Sequence, residues 1–562
     1  MHLLKSVLVV LFSVSHFPRD IKGLTRSIDQ EIKKEIDDFI KDVYLPSNNI
    51  TGLGLTVLQL QNGEKEEVLY TAGFGLADKA KEIPNTNETQ FLIGSITKSF
   101  TATIAVKFLH ETFPDLGEKV LDTPVRELVP EYNFTLSDRF RSEQVSFRDL
   151  LAHRVCSNRN DFLLLSEATN STSELVYRQR YNQEMCPIRS EFQYSNNMYA
   201  AAGELLAAIA KKPYETLVSE FLTELGMSNS SLVQPSDDFS SMPFRAQPYY
   251  VINNVSYPSN EGLVKRVTTT NSAGGLCIPP NDMDKYLRFH LNEGQIGNSQ
   301  IIPKDVMLWL TKSSISVPLF GYKSSEDDVE VINTFAYGLG FFLASLDGWQ
   351  LTEHSGSVPP YTAQLSLFPK QKIGIFMGMH EGPLWVSPMV VHGFIFDILR
   401  GVNSTTATEK ALKLIEKARQ KQESKVKQEK VALFRKPAQE KRNWAEIVGK
   451  YGSGSSGDLE IIEKLNDQTN ATQLYLNAGK WYRGWLGDED AEGRFLLTWD
   501  SDVNQDYYAA GDLSGGEAYV QVRNGTAELL HRIVDELGSL AKFELGNKFS
   551  RDKVWKLKDV HA

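Results

Sequence analysis

Apolar residues at Ile28, Ile32, Ile36, Phe39, Ile40 and Val43, with charges between them, predict an amphipathic helix over 26–43. The period then changes. Gly52–Leu60 and Glu66–Gly75 read as strands rich in Val, Leu and Tyr, and Asn62-Gly63 between them is a hairpin signal. Phe91–Ile93 reads as a short buried strand or loop, and Gly94 interrupts it. A helix opens at Ser95, with Phe100, Ile104, Ala105, Phe108 and Leu109 at the 3–4 spacing of one buried face. From about 115 to 270 the pattern is helical and irregular, and it includes a small-residue helix over Met198–Ala210. Strands return as two pairs, with His354-Ser355-Gly356 between them. Tyr337–Leu346 pairs with Trp349–Glu353 around Asp347-Gly348, and Thr362–Phe368 with Ile373–Met379 around Pro369-Lys370-Gln371. Val390–Leu399 reads as a helix closing on the sheet. Residues 403–442 are rich in Lys, Glu and Gln and read as a solvated helical linker. From 443 to 562 short alternating segments, among them Leu459–Ile462, Arg494–Trp499, Asp506–Ala510 and Leu529–Ile533, predict a small antiparallel β-domain or barrel. The fold class is therefore α/β (α+β): an antiparallel sheet flanked by helices, with a helical subdomain, then the small β-domain.

Composition narrows the function. A chain of 562 residues needs more than one core, and its net charge of −11 argues against a nucleic-acid partner. Residues 1–15 carry the features of a secretory signal: Lys5, the apolar run Val7–Phe12, and the small-x-small Ser13-Val14-Ser15. That run is too short to span a bilayer, and no other stretch comes close, so a secreted, extracellular protein without a membrane span is expected. Glycosylation sequons at Asn49, Asn87, Asn133, Asn170, Asn229, Asn254, Asn403, Asn470 and Asn524 agree with export. Of the three cysteines, Cys156 and Cys186 flank one insertion-like segment and could pair, leaving Cys277 odd. No paired Cys/His spacing suggests a metal, and no organic cofactor is implied.

The candidate chemistry begins at Ser95. Lys98 lies one helical turn on, within reach of the Ser95 hydroxyl. A buried lysine loses charge readily and can take a serine proton, and the helix N-terminus favours the negative charge that follows. Downstream stand Tyr194-x-Asn196 and His354-Ser355-Gly356. This ordered set resembles the serine β-lactamase-related family: class C β-lactamases, penicillin-binding proteins, D-aminopeptidases and esterases of the same fold. The flanks Phe91–Ser99, Leu150–His153, Ser272–Leu276 and Tyr337–Gly340 share the resemblance, which covers about residues 30–400 and places a catalytic domain over 26–402. It implies Ser95 as nucleophile, Lys98 as base, Tyr194 as proton relay assisted by the charges of Lys98 and His354, and Asn196 as a hydrogen-bonding partner of lysine and substrate. It further implies an oxyanion hole from the backbone N–H groups of Ser95 and Ser357, with Ser355 and Gly356 along the substrate. His153 is classed as structural. Penicillin-recognising members carry lysine where His354 stands. A largely neutral histidine favours an ester, amide or peptide substrate over a β-lactam. Trp444–Tyr451 resembles the start of a lipocalin-like domain. The competing reading is a catalytically silent glycoprotein that uses this fold as a scaffold in an extracellular or shell matrix. The sequence leaves the oligomeric state open.

Overall fold

The computed structural model describes residues 26–60, 67–161, 163, 166–252, 255–321, 332–381, 387–431, 442–480, 482–500, 518–533 and 536–545. The candidate signal segment, the expected Asn62-Gly63 turn, Asn254 and Asp506–Ala510 lie outside the described residues.

Nine strands form the main sheet: β1 Gly52–Leu60, β2 Glu67–Asp78, β3 Ile83–Pro84, β4 Ile315–Gly321, β5 Ile332–Tyr337, β6 Phe342–Leu346, β7 Trp349–Val358, β8 Tyr361–Phe368 and β9 Ile373–Met379. Their order is β4-β5-β6-β7-β8-β9-β1-β2-β3, antiparallel throughout. Two-residue alternation sorts the side chains. Leu53, Leu55 and Val57 face one core with Ile373, Ile375 and Met377, while Leu58, Ala363, Leu365 and Phe376 face the other. The first face is covered by α1 (Gln30–Asp38) and by the closing helix Met389–Leu399. The second carries α2 (Thr97–Thr112), α3 (Asn196–Ala210) and α4 (Pro280–Leu291).

Several sequence expectations change. The Ser95 helix was expected to bury one face, but every residue from Thr97 to Val106 in α2 is buried. Its hydroxyls are satisfied internally: Ser99 donates to Ile96 O (2.7 Å) and Thr103 to Ser99 O (2.7 Å). Tyr337–Leu346 is not one strand. The chain turns at Gly340 (φ +75°), where a Cβ would meet the Lys98 carbonyl oxygen at 2.6 Å, so glycine brings this turn against α2. His354-Ser355-Gly356 sits inside β7, with His354 opposite Leu365 and Gly356 opposite Ala363, and not between strand pairs.

The charged segment forms a helix, Ser404–Val431, whose first turns pack on the closing helix Met389–Leu399 through buried Ala407, Ala411 and Ile415. The expected solvated character fails there because those apolar positions fall on one helical face. Eight further strands close into an antiparallel barrel: β10 Gly449–Ser453, β11 Gly457–Asn466, β12 Ala471–Ala478, β13 Tyr482–Glu489, β14 Arg494–Trp499, β15 Ala518–Arg523, β16 Thr526–Ile533 and β17 Glu536–Leu545. Tyr451 opposite Leu545 makes the closure.

Candidate active site

Ser95 occupies a single 3₁₀ turn, Gly94–Ile96, at the entry to α2. Two backbones meet there. A Cβ on Gly94 (φ +51°) would stand 2.5 Å from Ser357 N, and one on Gly356 would overlap the Ile93 carbonyl oxygen. Only glycine allows this approach, and it sets the Ser95 and Ser357 backbone on one rim. Ser355 and Ser357 are exposed, while Gly356 is buried.

Lys98 is fully buried. Its Nζ lies 3.0 Å from Ser95 Oγ, 2.8 Å from Asn196 Oδ1 and 2.9 Å from Ala273 O. Burial, reinforced by the Arg159 guanidinium, pushes its pKa well below the ordinary lysine value. The two oxygens Asn196 Oδ1 and Ala273 O can only accept, so they hold both hydrogens of a neutral amine. The lone pair is then directed at the Ser95 hydroxyl. The Asn196 amide is oriented by a second constraint, because its Nδ2 donates to Asp161 Oδ1 (3.1 Å).

Tyr194 is half-buried, with its ring centroid 4.8 Å from Lys98 Nζ. Burial raises its phenol above the ordinary tyrosine value, against the pull of the Ser95 hydroxyl, so it stands protonated. His153 grips both of its neighbours. Its carbonyl accepts from Gln193 N (2.8 Å) and its Nδ1 accepts from Ser195 N (3.1 Å). Its own charge is suppressed, first by burial and then by Lys98.

His354 corrects the sequence reading. It is buried, with Nδ1 2.6 Å from Ser355 O and Nε2 3.0 Å from Tyr337 Oη. Nδ1 therefore carries the hydrogen, and Nε2 accepts from the phenol. Burial and the nearby Lys98 lower its pKa to about 3. Being neutral, it supplies no charge to help ionise Tyr194, whose ring centroid lies 6.4 Å away.

Sequence reasoning missed Arg159, Asp161 and Tyr337 as members of this cluster. Arg159 pairs with Asp161, and its guanidinium lies 5.3 Å from the Tyr194 ring centroid. No motif spacing marks Arg159 and Asp161, which reach the site from the segment after Cys156, whereas Tyr337 comes from the end of β5, in a flank whose resemblance was noted without a role for its phenol. Cys156 and Cys186 are disulfide-bonded at that segment's base, and Cys277 is buried and free. Among the described residues no group of three or more His, Cys, Asp or Glu could hold a metal ion.

A family model described as Beta-lactamase matches residues 54–384. An unguisins hydrolase, ungD', from Aspergillus campestris is 26% identical over 308 residues, covering 53% of this chain and 54% of that protein. Protein flp from Staphylococcus aureus is 24% identical over 373 residues, 66% of each chain. The chain thus spans between about half and two thirds of the length of these relatives. Among solved structures, the octameric penicillin-binding protein homologue from Pyrococcus abyssi superposes with a TM-score of 0.55 at 20% identity, over 91% of this chain and 99% of that one. D-amino acid amidase from Ochrobactrum anthropi SV3, complexed with D-phenylalanine, gives 0.50 at 22% identity, over 68% and 99%. At these identities the structures establish the fold.

Proposed function

The chain belongs to the β-lactamase family, and from that premise we propose that it is a secreted serine hydrolase, cleaving an ester or amide through an acyl-enzyme on Ser95. The observation that carries the reading is the environment of Lys98: a buried, charge-suppressed amine with two fixed acceptors and its third direction on Ser95 Oγ. In acylation, Ser95 Oγ bonds to the substrate carbonyl carbon as its proton passes to Lys98. The N–H groups of Ser95 and Ser357 receive the oxyanion. Tyr194, a protonated phenol beside both groups, delivers a proton to the leaving alcohol or amine and recovers one from Lys98. Water attacks the acyl carbonyl in the second half-reaction with the proton transfers reversed. His354 keeps its place through Tyr337 and leaves the β7 rim uncharged. A substrate whose recognition needs a fixed cation in that position, as a penicillin carboxylate does, is disfavoured.

The relatives named for hydrolysis of unguisins and of D-amino acid amides favour an amide-type substrate. Export draws on the candidate signal, on the bonded Cys156–Cys186 pair, and on the exposure of seven sequon asparagines: Asn49, Asn133, Asn170, Asn229, Asn403, Asn470 and Asn524.

The test is labelling with a fluorophosphonate. Wild type should form a covalent adduct on Ser95 that Ser95→Ala abolishes, with slow or no nitrocefin turnover. Folded wild type that stays unlabelled would reject the hydrolase in favour of the matrix scaffold. Export is checked separately, by recovery from the medium of a secreting eukaryotic host and a mass shift on N-deglycosylation.

A further inference from the structure

The barrel touches the catalytic domain where the Asn196 carboxamide gets its orientation. The turn between β10 and β11 presents three consecutive residues to Asn160 and to the end of the helix Thr172–Arg178. Gly454 O accepts from Arg178 Nη1 (3.0 Å), Ser455 O from Asn160 Nδ2 (3.1 Å), and Ser456 Oγ donates to Asn160 Oδ1 (3.2 Å). Arg178, Asn160 and Ser456 are all buried, at 2%, 6% and 4% exposure, so water does not replace these bonds freely. A second barrel turn holds Ser166 and Glu167, which lie between those two points in the chain. Lys480 N donates to Ser166 O (2.6 Å), and Lys480 Nζ pairs with Glu167 (2.8 Å).

The two residues flanking Asn160 reach the first residues of α3. Asp161 Oδ1 accepts from Asn196 Nδ2 (3.1 Å), and Arg159 O accepts from Asn197 Nδ2 (3.1 Å). A carboxamide presents either end with similar shape, so something must decide which end meets Lys98. The acceptor-only carboxylate of Asp161 draws the NH₂ outward and leaves Oδ1 on the lysine. Asn160 itself is held in the left-handed region (φ 45°), a conformation that asparagine tolerates and the barrel's two hydrogen bonds hold. Among the described residues, the hydrogen bonds of the Asn160 carboxamide go only to the barrel.

We propose that the C-terminal barrel is a working part of the active site, its Gly454–Ser456 turn holding Asn160 so that Asp161 orients Asn196 and Asn196 aims Lys98 at Ser95. Asn160 and Ser456 are positioning residues that touch neither substrate nor nucleophile. The inference rests on the assignment of Ser95 and Lys98 made above.

The experiment uses the full chain with Asn160→Ala, Ser456→Ala and the double variant, and two readouts. The first is the rate of fluorophosphonate labelling per folded molecule across pH. Asn160→Ala should slow it by about tenfold or more and move its acidic limb, because a loosened Asn196 changes the setting of Lys98. Ser456→Ala should act in the same direction, less strongly, and the double variant should be no slower than Asn160→Ala, since both cut one contact. The second is amide hydrogen exchange over 195–198, which should quicken in Asn160→Ala and Ser456→Ala while exchange in α2 stays as in wild type. Labelling within twofold of wild type, strictly additive losses, or unchanged exchange at 195–198 would overturn the proposal. A wild type inert to the phosphonate would count against the hydrolase alone, because the exchange readout still decides the coupling. Should Asn160→Ala not fold, Ser456→Ala supplies both readouts.

Discussion

Gly356→Ala probes how closely the two sides of the site are pressed together. The added methyl would overlap the Ile93 carbonyl oxygen and stand 3.1 Å from Ser95 N. No side chain can yield, since both contacts are backbone, so β7 and the Gly94–Ile96 turn must part by about 1 Å. The Ser95 and Ser357 N–H groups then cease to converge on one oxyanion position. Losing one such donor costs about 10²–10³ in rate, or about 3–4 kcal/mol of transition-state stabilisation. Overpacking itself should cost about 1–3 kcal/mol of stability, too little to unfold a domain with two large cores. The assay is the second-order rate of fluorophosphonate labelling, corrected for the folded fraction from a melting curve. The expected result is a rate about a hundredfold below wild type in protein that still melts cooperatively. A folded Gly356→Ala protein labelled within threefold of wild type would show that the rim does not form the oxyanion site.

Lys98→Arg puts a permanent cation where the neutral amine stands, with no free lone pair to take the Ser95 proton at accessible pH, so labelling should fall by about 10²–10⁴, read as adduct yield by intact mass. In wild type the rate should rise with pH through the depressed lysine pKa and then level off, as a pH–rate profile would record, because the neutral amine is the active form. Glu353, buried and bonded to Gln364 Nε2 (2.8 Å), has its carboxyl raised to about 7 by burial. The unfolded chain ionises near the ordinary carboxylate value while the folded chain holds its proton, so this group lowers stability as pH rises from about 4.5 to 7, by about 3 kcal/mol in all. Glu353→Gln should flatten that fall in denaturant titrations at several pH values. Replacing both Cys156 and Cys186 by serine opens a loop of sequence separation 30, which should cost about 3–4 kcal/mol of catalytic-domain stability by the same titrations.

Local spacing made part of the site legible in the sequence. Lys98, in the first turn of α2, comes within reach of Ser95 in the 3₁₀ turn before it because they are three residues apart, and the strand alternation that buries Leu53, Leu55 and Val57 follows from side-chain period alone. The glycines at 94, 340 and 356 were visible as letters. Their purpose, contact between backbones far apart in the chain, was not.

The sequence by itself determined the order of elements, the antiparallel sheet followed by its β-domain, and the placing of Lys98 one turn from Ser95, because each is written in periodicity or in residue type at short range. The tertiary structure alone decided the protonation of Lys98, Tyr194 and His354, since charge state depends on how much water and which neighbours the fold leaves around each group. It alone brought Asp161, Arg159 and the barrel turn to Asn196, contacts made by loops whose approach no local pattern encodes.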